Sequence, residues 1–83
     1  MESIWKVVRK MKVKVGPRLY QMNRKKYQGL LEIAREQVPM GVYAIEKEGY
    51  AELRRDICDS QTKLKDTIRV FKGQGFRVFA NGR

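Results

Sequence analysis

The sequence predicts a small α+β fold of the ferredoxin-like kind, β-α-β-β-α-β, with two helices packed on one face of a small antiparallel sheet. Three observations carry that expectation. Residues near the start alternate apolar and charged, two later stretches are amphipathic with a capping residue at each start, and a glycine-closed hairpin lies between them. Eighty-three residues, 42% of them apolar and including one Trp, four Tyr and three Phe, suffice for one modest core and one domain over residues 1–83.

In residues 5–15 the apolar Trp5, Val7, Met11, Val13 and Val15 alternate with Lys6, Lys10, Lys12 and Lys14, the period of a strand. Val8 and Arg9 break the alternation and mark a bulge or a division into two pieces. Gly16 and Pro17 then end the strand, because proline has no amide hydrogen to give a ladder. Asn23 caps a helix running to about residue 38, with Tyr27, Leu30, Leu31, Ala34 and Val38 on one face and Pro39 as its stop. Gly29 inside it costs about 1 kcal/mol against alanine, which suggests close packing on the sheet.

Residues 42–45 and 50–57 read as two strands joined by a hairpin over residues 46–49, with Gly49 supplying a positive φ. Asp59 or Ser60 caps the second helix. Leu64, Ile68 and Phe71 follow at i, i+4 and i+7, and Gly73 stands at the C-terminal glycine position. Residues 76–80 form a short last strand. No repeat, linker or low-complexity tract interrupts this order.

Charge is distributed unevenly. Residues 1–27 carry nine Lys or Arg against one acidic residue, residues 28–59 four against seven, and residues 60–83 six against one, for a net charge of +10. Solubility of a small domain needs a net charge of only about 2–8, so a polyanionic partner is the leading expectation, nucleic acid first. With helices over the apolar face of the first strand, Lys6, Lys10, Lys12 and Lys14 point from the open face. Alternation adds Tyr50, Arg54, Arg77 and Phe79 to that face, a mixture of cations and rings suited to phosphates and bases. Arg18, Arg24, Lys25 and Lys26 make a second cluster in a loop and the first helical turn. Cations there oppose the helix dipole by a few tenths of a kcal/mol each, so either the helix starts later or these residues serve a partner.

The stretch from Glu48 to Arg55 resembles the RNA-recognition-motif strand at Gly49, Tyr50, Ala51 and Leu53. Glu48 and Glu52 stand where that strand carries a basic residue and a stacking ring, so the outline assigns no family.

Other function classes are disfavoured. The chain has no histidine and one cysteine, Cys58, so no set of soft ligands exists for a metal and no internal disulfide forms. Cys58 reads as a buried, inert thiol. No phosphate-cradling glycine motif opens a helix, since Gly73-Gln74-Gly75 precedes a strand, and neither an enzyme nor a cofactor is expected. No apolar stretch approaches the roughly 18 residues of a membrane span, and the opening residues lack the apolar run of a signal peptide, which points to the cytoplasm. The competing reading is a protein-interaction module of the kind phages and mobile elements use on host complexes, binding by a sheet edge or pairing edges in a homodimer. A small basic ribonuclease toxin working through Lys, Arg and Tyr is the lesser alternative.

Overall fold

The computed structural model describes residues 10–82 in the order β1 (Met11–Val15), β2 (Arg18–Met22), α1 (Arg24–Gln37), β3 (Gly41–Lys47), β4 (Tyr50–Ile57), α2 (Gln61–Gly73) and β5 (Arg77–Asn81). Among these residues the class is α+β, with a mixed sheet of five strands in the order β2-β1-β4-β3-β5. Trp5 and Lys6, expected to open the first strand, lie outside the described residues.

Both helices begin where side-chain chemistry places them. Asn23 Oδ1 accepts the Lys26 amide at 2.8 Å, and Ser60 Oγ accepts the Lys63 amide at 3.2 Å. The end of α2 differs from expectation. Gly73 is still helical, and Gly75 holds the left-handed turn at φ +91°. The Phe76 amide donates to the Phe71 carbonyl at 3.2 Å and the Gly75 amide to that of Lys72 at 3.0 Å, the two bonds of a Schellman cap. Its accompanying apolar contact is the edge-to-face pair of Phe71 and Phe76, 6.4 Å between centroids. Gly29 also departs from expectation: it is exposed, and a Cβ there would meet open space, not the sheet.

The ferredoxin-like order is not what forms. Residues 18–22, expected as a loop, are strand β2, which folds back antiparallel on β1 and occupies the outer side of β1. The last strand therefore cannot reach β1 and pairs antiparallel with β3 at the far edge instead. β1 and β4 run parallel, so the sheet is mixed and not purely antiparallel. The chain enters α1 from β2, which runs opposite to β1. The crossovers β2-α1-β3 and β4-α2-β5 thus travel in the same direction across the sheet but start from strands of opposite sense. Right-handed connections then require the helices to lie on opposite faces, not on one.

Packing follows that arrangement. On one face Met11, Val13, Met22, Ala51 and Leu53 meet Tyr27, Leu30 and Leu31 of α1, and Tyr43, Ala44 and Phe79 meet Ala34 and Val38. On the other, Val42, Ile45, Val78 and Ala80 meet Leu64, Ile68 and Phe71 of α2. β3 lies between both helices, and its residues from Gly41 to Ile45 are all buried. An irregularity between Val42 and Ala44 turns Tyr43 and Ala44 toward the same helix.

One buried polar atom in this core has no partner among the described residues: the Tyr27 hydroxyl. Burial above all, with the nearby Glu46 carboxylate adding to it, pushes this phenol far above the ordinary tyrosine range. An unsatisfied buried hydroxyl costs about 1–3 kcal/mol, so Tyr27→Phe is expected to raise the melting temperature at pH 7. The folded pKa is raised, so the unfolded chain loses the proton first as pH passes about 10, and wild-type stability falls as pH rises beyond it. Melts at pH 7 and above pH 10 check both points, since the phenylalanine variant loses this contribution to the alkaline slope.

Candidate nucleic-acid interface

Register sorts the basic residues between the two faces. In the β1–β2 hairpin Lys12 stands opposite Gln21, Val13 opposite Tyr20, Lys14 opposite Leu19 and Val15 opposite Arg18. Val13 packs under α1, so Lys12, Lys14, Leu19 and Gln21 share the face turned away from that helix, whereas Arg18 lies on the α1 side. α2 packs over β3 and β5. Lys12, Leu19 and Gln21 are exposed and Lys14 is half-buried. Leu19 and Gln21 escape a reading that takes residues 18–22 for a loop. Their signal is the alternation of Leu19 and Gln21 with Tyr20 and Met22.

Lys10 is exposed just before β1. It shares an open groove with Arg24, Met11, Tyr50 and the β3–β4 turn, so Glu46 and Glu48 border the cluster at that end. Arg24, Lys25 and Lys26 are exposed in the first turn of α1, which starts at Arg24 and carries no acidic residue there. A later helix start, the alternative explanation of their position, does not occur. None of Lys10, Lys12, Lys14, Arg18, Arg24, Lys25 and Lys26 makes an ion pair among the described residues, whose salt bridges use Arg54, Lys63 and Arg69 instead.

Tyr50 and Arg54 lie on the same face as Lys12 and Lys14 but are occupied. Arg54 Nη1 donates to Glu52 Oε2 at 2.6 Å and its Nε to Asp56 Oδ2 at 2.7 Å, while its guanidinium lies 4.7 Å from the centre of the Phe71 ring. The hydrogen bond to Asp56 pushes the Arg54 pKa further up. Tyr50 donates to Glu52 Oε1 at 2.9 Å. This row is internally compensated, with two carboxylates on one guanidinium, and it offers an incoming phosphate no spare cation.

No protein-family model, curated protein or solved structure matches this chain.

Arg77 and Phe79 were expected beside the strand lysines, and the fold separates them. Phe79 pairs with Ala44 and packs with Ala34 and Val38 on the α1 side, 6.3 Å from the Tyr43 ring. Arg77 lies over Phe79 at 5.7 Å and stands opposite Glu46 in register. Because α1 and α2 cover opposite faces, a residue turned from one helix on β5 is not thereby on an open face. β1, β2 and the start of α1 carry the remaining predicted cations, with Lys12 and Lys14 on the face turned from α1 and Arg18 on the α1 face. Among the described residues no group of His, Cys, Asp and Glu is arranged to hold a metal ion, and no helix is long and apolar enough to cross a membrane.

Proposed function

We propose that this protein binds nucleic acid through its phosphates, using Lys10, Lys12, Lys14, Arg18, Arg24, Lys25 and Lys26, in a regulatory and not an enzymatic role. The observation that carries this reading is the group of seven cations on one hairpin and one helical turn, none of which forms a close ion pair among the described residues. No acidic residue occurs from residue 3 to residue 31 to offset them. Three of them also sit at a helix start, where each cation is unfavourable by roughly 0.3–1 kcal/mol. A partner supplying negative charge offsets that cost. A reducing, cytoplasmic setting goes with this reading, given the lone, buried Cys58.

Fluorescence anisotropy with labelled single-stranded and duplex DNA and RNA over a salt series tests it. Each phosphate contacted contributes about 0.7–0.9 to the log–log slope, so engagement of most of the seven cations gives a slope of about −4 to −6. Absence of binding to all four ligands at low salt overturns the proposal.

A second reading, a protein-interaction module, draws on the edge strand β2, where Leu19 is 57% and Tyr20 42% exposed. A protein partner retained from nuclease-treated extract, together with no nucleic-acid binding, favours it. Pairing of two β2 edges would bring Arg18 and its basic neighbours together, so a homodimer through that edge is electrostatically opposed.

A further inference from the structure

The geometry points to the major groove of B-form duplex DNA as the seat of the β1–β2 hairpin, an inference that rests on the phosphate-binding reading above and names its ligand. Four side chains share the hairpin face turned from α1: Lys12 with Gln21 in one row and Lys14 with Leu19 in the next. Gln21 and Leu19 are of the types that read base edges in that groove, since glutamine pairs with adenine N6 and N7 and an apolar group meets the thymine methyl, while Lys12 and Lys14 beside them keep their phosphate contacts.

The dimensions agree. β2 is the free edge of the sheet and β1 lies between it and β4, so the hairpin enters by its β2 edge; paired strands lie about 4.8 Å apart, against a groove about 12 Å wide. Successive rows on one strand face are about 6.7 Å apart, close to two base-pair steps of about 3.4 Å. Arg24, Lys25 and Lys26 follow directly from β2 into α1 and supply cations beside the hairpin for the flanking phosphates, whereas Arg18 lies on the α1 side, turned from the bases.

Single strands fit less well. A single-strand platform needs rings to stack on bases. On this face Tyr50 is tied to Glu52, which places a carboxylate beside its ring, the Phe71 ring is covered by the Arg54 guanidinium, and Phe79 packs against α1 on the opposite side. Duplex RNA fits poorly too, because its major groove is deep and too narrow for side chains to read.

Two measurements test the inference. Anisotropy compares a short duplex DNA with the same duplex carrying glucosylated 5-hydroxymethylcytosine, which fills the major groove without changing charge, and with the plain duplex holding netropsin in its minor groove. The expected result is about tenfold or greater weakening by the glucose and little by netropsin. The reverse pattern overturns the inference, as does tighter binding of single strands or duplex RNA. In both cases binding persists and the phosphate reading stands, whereas loss of binding to every nucleic acid removes both. In the second measurement the variant Leu19→Ala/Gln21→Ala, altered at two exposed positions, binds duplex DNA at least about fivefold more weakly with its salt slope unchanged, because no charge is removed. Unaltered affinity in a folded variant overturns the assignment.

Discussion

Replacing Lys10, Lys12 and Lys14 together by glutamine weakens nucleic-acid binding by two to three orders of magnitude at about 0.1 M salt, and makes the salt slope shallower by about two to three. The figure follows from counterion release. One phosphate contact with a slope near 0.9 contributes a factor of about 8 between 1 M and 0.1 M salt, and three act multiplicatively. The fold should survive, since Lys10 and Lys12 are exposed, Lys14 is half-buried, and none of the three forms an ion pair among the described residues. Glutamine is preferable to glutamate because Lys14 stands opposite Glu52 across the β1–β4 pair. Like charges in that position destabilise a sheet on their own account. Anisotropy and thermal melts on one preparation check both halves. Unchanged affinity and slope remove these lysines from the interface, while a large fall in melting temperature means that the strand register depends on them.

Local signals in the sequence were legible where one residue type performs one local task. Asn23 and Ser60 cap their helices through the expected side-chain oxygens, and β4 spans Tyr50–Ile57 as its alternation predicts. What failed to show was the pairing of elements distant in the chain. Gly16 and Pro17 do end β1, but they also form the two-residue loop of a hairpin whose second strand has only five residues. That short strand takes the place beside β1, reverses the direction of entry into α1 and sends α2 to the other face. One cue to two-sided burial was present. The run Val42-Tyr43-Ala44-Ile45 is apolar without alternation, as expected of a strand covered on both faces.

The candidate site divides along the same line. Lys12 and Lys14 depend only on strand alternation and keep their common face. Arg77 and Phe79 depend on which strand lies beside which, and they fall on the α1 side. Arg54 depends on its neighbours at i−2 and i+2. Glu52 and Asp56 were visible at that spacing in the sequence, and their capture of the guanidinium is a local consequence of a strand placing alternate residues in a row. The acidic residues of the middle segment thus neutralise their own neighbour, and the basic hairpin is left without an acidic residue of its own.

Gly41→Ala is expected to destabilise the fold by about 3 kcal/mol or more, in the range reserved for backbone clashes and strained conformations. Gly41 has φ +147°, and a Cβ there would overlap the Asp56 carbonyl oxygen and lie 2.9 Å from the Ile57 Cα. Both obstacles are main chain, so no rotamer change relieves them. The strand pair must separate at the point where Gly41 faces Ile57 and the Cys58 amide donates to the Met40 carbonyl at 2.8 Å. In a domain of this size each kcal/mol moves the midpoint by about 4–8 °C, so a fall of about 12 °C or more should appear in a thermal melt. Gly29→Ala supplies the opposite sign, because its Cβ enters open space on a helix and gains about 1 kcal/mol of helical preference. Near-equal melting temperatures for the two variants would show that β3 and β4 do not approach each other this closely. Gly41 lies in β3, outside the basic hairpin. Its variant should therefore lose nucleic-acid binding only in proportion to the fraction unfolded, whereas the lysine variant loses it while folded.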